Sequence, residues 1–116
     1  MPVVNRLGRI LASAARNANG SITVPHFKHA EEVDLTLDVT AQSGTTPTLN
    51  VSVDYVDPAS GKTVNVGSFT QVGAATGTET ISLTAIPEEA VISWTLGGVT
   101  PNYTFSIGAR IKDVVQ

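Results

Sequence analysis

The chain has 116 residues, 41% of them hydrophobic and 15% charged, with a formal net charge of −3, a length that builds one core and leaves no room for a second. Seven Lys plus Arg against ten Asp plus Glu exclude a module held to nucleic acid by phosphate contacts. The lack of cysteine excludes disulfide scaffolds, thiolate metal sites and thiol nucleophiles, and every apolar run falls short of the roughly 18 residues of a membrane span.

Residues 1–18 set Arg6, Arg9 and Arg16 among Val3, Val4, Leu7, Ile10 and Leu11. An export signal needs an unbroken apolar segment of about seven residues before its cleavage site, and Gly8 and Arg9 interrupt this one ahead of Ala12-Ser13-Ala14. No cleaved signal is expected. The segment reads as an apolar N-terminal arm or as a first strand, turned onto its neighbour at Asn19-Gly20, a dipeptide that favours hairpins. Residues 19–116 then read as one domain.

From residue 21 onward the apolar positions alternate, as they do in strands with one buried face. Ile22 and Val24 open the pattern, and Pro25 ends it by removing a ladder donor. Val33, Leu35, Leu37 and Val39 alternate with Asp34, Thr36, Asp38 and Thr40; Leu49, Val51, Val53 and Tyr55 follow a predicted turn at 43–47. A second turn at 57–61 combines Pro58 with Gly61. Val64 and Val66, then Ile81, Leu83 and Ala85, mark two more strands, the latter closed by Pro87-Glu88-Glu89. Ile92, Trp94 and Leu96 precede a predicted turn at Gly97-Gly98, and Tyr103, Phe105, Ile107, Ala109 and Ile111 finish the series. The expectation is an all-β, antiparallel β-sandwich, jelly-roll or Greek-key like, with about seven or eight short strands. Trp94 falls on the apolar side of its strand and reads as core.

One internal echo stands out. Gly44-Thr45-Thr46-Pro47 and Gly98-Val99-Thr100-Pro101 both precede alternating strands and lie 54 residues apart, consistent with two pseudo-equivalent halves.

The search for chemistry returns little. His26 and His29, with Glu31, Glu32 and Asp34 behind them, are too irregularly placed to fix a metal and read as a polar loop. Asp34 and Asp38 share a strand face but stand roughly 13 Å apart, too far for paired glycosidase carboxylates. Asp54 and Asp57 flank a turn and read as its caps, and no nucleophile elbow or phosphate-cradling loop occurs. The sequence therefore assigns no catalytic, cofactor-binding or metal-ligating residue, and no enzyme activity is expected. Phe27, set in the polar 26–32 stretch, is the aromatic expected to be exposed for a ligand or partner.

Residues 33–51 (VDLTLDVTAQSGTTPTLNV), Val66-Gly67-Ser68-Phe69-Thr70, Ile92-Ser93-Trp94-Thr95-Leu96-Gly97-Gly98 and Tyr103-Thr104-Phe105-Ser106-Ile107 resemble the small β-sandwich virion proteins of tailed bacteriophages, commonly capsid decoration or minor structural proteins. The resemblance covers about residues 9–111 and rests on strand phrasing. It implies a non-enzymatic virion protein on the outer head surface, made in the host cytoplasm, whose partners are the major capsid protein and copies of itself, a homotrimer suiting local threefold positions. A tail, neck or baseplate component and a carbohydrate-binding module for the host surface are the alternatives. Val3, Val4, Arg6, Leu7, Arg9, Ile10 and Leu11 are the expected subunit or capsid interface, Arg6 and Arg9 pairing with acidic groups there. On that reading residues 2–11 could be removed without loss of the β fold.

Overall fold

The computed structural model describes residues 3–25, 27, 30–84, 87 and 89–114. Their regular structure is antiparallel strand throughout: β1 Val3–Arg16, β2 Gly20–Val24, β3 Ala30–Val56, β4 Thr63–Ser68, β5 Gly77–Leu83 and β6 Ala90–Val114. The all-β class follows from the alternation, but the expected number of short strands is corrected. Two of the six strands are long, β3 with 27 residues and β6 with 25.

The cause lies in the two predicted turns at 43–47 and Gly97-Gly98, neither of which reverses the chain. β3 and β6 stay paired through both, with Ser43 opposite Asn102, Thr45 opposite Val99 and Thr48 opposite Gly97. Positive φ at Gly44, Thr46, Gly98 and Thr100, together with register shifts on both sides of Thr45, bends the paired ribbon without ending it. The bend makes two sheets from one ribbon. In the first, the halves of β3 before the bend and of β6 after it are flanked by β5 and β1, in the order β1-β6-β3-β5. In the second, the remaining halves are flanked by β2 and β4, in the order β2-β6-β3-β4.

Both sheets turn their apolar faces to one core. Val33, Leu35, Leu37, Val39, Tyr103, Phe105, Ile107 and Ile111 enter it from the first sheet, and Leu49, Val51, Val53, Ala90, Ile92 and Trp94 from the second. Trp94 meets Phe105 edge-on with ring centroids 5.9 Å apart, a favoured aromatic geometry. The shortest dimension of the molecule, 19 Å, is that of two sheets stacked about 10 Å apart with their outer side chains. The fold is therefore sandwich-like.

The echo in the sequence has a geometric counterpart. Gly44 lies against the carbonyls of Val99 and Thr100 and Cα of Pro101; Gly98 lies against the carbonyls of Thr45 and Thr46 and Cα of Pro47. The Thr46 and Thr100 hydroxyls each donate to the carbonyl of the preceding residue at 2.8 Å. A local two-fold axis between Thr45 and Val99 thus exchanges the segments, and it carries β1-β2-β3 onto β4-β5-β6 with matching strand pairings.

Two further expectations change, and the choice between arm and first strand is resolved. Asn19-Gly20 is not a hairpin, because β1 and β2 pair with different parts of β6. Residues 17–19 cross between the sheets, with Asn19 Oδ1 accepting from the Leu96 amide at 2.8 Å. Residues 3–16 are a first strand rather than an arm, paired with β6 from Val3 opposite Val114 to Arg16 opposite Tyr103. Phe27 is 1% exposed, so its ring belongs to the core and not to an exposed contact. Its carbonyl accepts from the Ala30 amide at 3.1 Å. Trp94 is core as expected, at 8% exposure.

Candidate functional site

In a sheet, directly paired residues point to the same face, so the register of the first sheet defines rows across its outer surface. Leu7, Arg110, Asp34 and Ser82 make one row; Arg9, Gly108, Thr36 and Thr80 the next; Ser106, Asp38 and Thr78 a third. Hydroxyls link these rows across strands. Ser82 Oγ donates to Asp34 Oδ1 at 2.6 Å and Thr78 Oγ1 to Asp38 Oδ1 at 3.0 Å, while the Thr36 and Thr80 hydroxyls stand 2.9 Å apart. Arg110 pairs with the other oxygen of Asp34. The Ser82 hydroxyl first, and then Arg110 against the opposing effect of desolvation, hold the Asp34 carboxyl below its usual range.

β1 borders this face. Val3 and Val4 are placed by their register with Val114 and Asp113. The Arg6 guanidinium pairs with Asp113 of the same chain. Ile10 and Leu11 are half-buried and pack against the chain's own core, both of them because β1 shifts register between Arg9 and Leu11 and again before Ala14. Of the expected interface residues whose side chains are described, Leu7 and Arg9 are directed outward and engage neither the core nor an ion pair. Leu7 is 85% exposed, and Arg9 has no hydrogen bond or ion pair among the described residues. Together with Gly8, Ser106 and Gly108 they line a shallow depression of 330 Å³.

Arg16 plays a part that periodicity could not indicate. Its guanidinium donates to the carbonyls of Phe105 at 2.8 Å, Ala12 at 2.9 Å and Ala14 at 3.0 Å. The same group lies 4.7 Å from the Phe105 ring centroid and 5.5 Å from that of Trp94. Three carbonyls and two rings make it a lid on the core where the sheets meet, and desolvation there lowers its pKa from the usual arginine value. The only signal in the sequence is a cation ending an apolar segment.

Several of the remaining polar groups hold turns and loops. Asp57 accepts from the Ser60 hydroxyl at 2.6 Å and the Ser60 amide at 3.2 Å, which draws its pKa down and closes the β3–β4 turn. A depression of 310 Å³ beside residues 70–79 is walled by Leu37, Val39, Val72 and Glu79. The Glu79 carboxylate is held by the Thr70 amide and hydroxyl, both at 2.8 Å. Tyr103 fastens the same loop through Gly73 O at 2.9 Å, and burial raises its pKa. Among the described residues no group of three or more His, Cys, Asp and Glu could hold a metal ion; His26 and His29 lie outside them. Phe27, Phe69, Trp94, Tyr103 and Phe105 are all buried and Tyr55 is half-buried, so the aromatic side chains make no exposed platform.

No protein-family model and no curated protein matches the chain. A solved structure of Bacillus endospore appendages, described as a family of disulfide-linked pili, is similar to it over 98% of this chain and 89% of that one, at 14% identity and a TM-score of 0.47. A likeness at that level carries no argument about function.

Proposed function

We propose that this protein is a non-enzymatic structural subunit that acts by association, and that it decorates the outer head surface of a tailed bacteriophage, stabilising contacts between major capsid subunits. The observation that carries the association reading is the β1 edge, a 14-residue strand with Leu7 85% exposed and Arg9 outward beside it. An open strand edge offers a row of unpaired backbone donors and acceptors, and protein partners use such edges by adding a strand. A leucine and an arginine beside it supply the apolar area and the charge of a small contact. The virion setting is supported by the sequence resemblance.

The test has two parts. Quantitative mass spectrometry of purified particles should find the chain in a simple fixed ratio to the major capsid protein; a handful of copies would move it to the tail or neck, and its absence would remove the virion reading. A Leu7→Ser/Arg9→Ser double variant should fold as the parent does and lose most of its binding to particles stripped of the native protein. Unchanged binding would remove β1 from the contact. Point variants are the right instrument, because deletion of residues 2–11 would strip the edge of β6 that β1 covers.

A further inference from the structure

We infer that copies of this chain associate head to tail, with β1 of one molecule added to β5 of the next so that the first sheet continues between them. This deepens the association reading above by naming one partner, a second copy.

β1 and β5 are the two edges of the first sheet, each paired on one side only among the described residues. β1 is antiparallel to β6, β6 to β3 and β3 to β5, so β1 and β5 run in opposite directions. A copy displaced sideways along the sheet therefore sets its β1 antiparallel to the neighbour's β5, the more stable pairing. The lengths agree as well. β1 keeps unbroken register over its first seven described residues, Val3 to Arg9, and β5 is seven residues long.

Charge selects this arrangement over its competitors. β1 carries Arg6, Arg9 and Arg16 and no acidic residue, so two β1 strands placed against each other would oppose like charges, which is destabilising. On the other edge, Asp38 stands one strand in from β5, and its one hydrogen bond among the described residues comes from the Thr78 hydroxyl. Its row adjoins the row that holds Arg9. In the joined sheet Arg9 and the neighbour's Asp38 would lie two strand spacings and one row apart, roughly 12 Å between backbones, which an arginine and an aspartate span together. Leu7 would be covered at the same junction. The edges of the second sheet lack this complementarity, since β2 and β4 contain no charged residue and β4 is bulged opposite Val53 and Asp54. A head-to-tail contact of this kind closes into a ring or continues as a filament.

Sedimentation of the full chain from micromolar to millimolar concentration should show reversible association, as one closed ring or as an open series. Arg9→Asp and Asp38→Arg should each weaken it about tenfold or more, and the double swap should restore it to within about threefold. Circular dichroism checks the fold of each, and Asp38→Asn replaces Asp38→Arg should the latter not fold, with weakening again expected. A monomer at every concentration would overturn the inference, as would association indifferent to both single swaps or strengthened by Arg9→Asp. A monomer that still binds particles would leave the association reading intact and remove only the second copy as partner.

Discussion

At Gly98 a Cβ would lie 2.5 Å from the Thr46 carbonyl oxygen and 2.8 Å from that of Thr45, and φ is +99. Both effects oppose any side chain there, since the obstruction is backbone and cannot swing aside. Gly61 shares a positive φ of +73 but has nothing within 4 Å of an added Cβ. Gly98→Ala should therefore lower unfolding free energy by about 3 kcal/mol and Gly61→Ala by only about 1 kcal/mol; chemical denaturation that gave equal losses would show that the crossing does not depend on close backbone approach. The same residues show where sequence reading stops. Glycine followed by Thr-Pro has the chemistry of a turn, and nothing local separates a chain reversal from a bend in a ribbon that stays paired. Val33, Leu35 and Leu37 were legible because period two is imposed by the strand itself. Phe27 was not, because a loop residue obeys no period and its burial is decided by where the loop lands.

The strands of the first sheet are joined on their outer face by Asp34, which accepts a hydrogen bond from the Ser82 hydroxyl on β5 and pairs with the Arg110 guanidinium on β6. Its pKa is lower folded than unfolded, so by linkage this contribution is fully present above the unfolded value of about 4 and is lost as pH falls through the folded one. The denaturant midpoint should drop between pH 5 and pH 2.5, and Asp34→Asn should start lower at pH 7 and show a shallower drop. A variant as steep as the parent would assign the acid sensitivity to other carboxylates. The candidate site was half legible at this scale. Composition and spacing singled out the residues of β1, and the structure keeps them together on one edge strand. Which of them point outward depends on the bulges around Ile10 and Leu11, where two consecutive apolar residues turn inward, and a bulge leaves no mark in a pattern already interrupted by Gly8 and Arg9. Arg6 was sought by Asp113, its neighbour across β1 and β6, a pairing that only the register of the first strand with the last could have disclosed.

The two-fold relation between β1-β2-β3 and β4-β5-β6 has a consequence for the whole molecule. β3 passes to β4 through residues 57–62, from Val56 opposite Thr63, and the axis maps that hairpin onto the junction of β6 with β1, where Val114 lies opposite Val3. A permuted chain that opens between Ser60 and Gly61, and joins residue 114 to residue 3 with the segment Asp-Pro-Ala-Ser-Gly-Lys, would therefore present its strands in an equivalent order around the same core. Opening the turn gives up the Asp57 amide bond to Lys62 O and the Gly61 amide bond to Asp57 O, each 2.8 Å, at a net cost of about 1–3 kcal/mol, offset by the same turn at the new junction. The permutant should keep the all-β circular dichroism spectrum and melt cooperatively within about 10 °C of the parent. A second permutant opened between Thr45 and Thr46 cuts β3 where it passes from one sheet to the other, and should melt at least about 10 °C below the first, because β6 then crosses between the sheets without a continuous partner strand beside it. Should the first permutant fail to fold, the two halves are not equivalent in energy whatever their geometry. Should the second fold as well as the first, the continuity of β3 through the paired crossing at Gly44 and Gly98 adds no measurable stability.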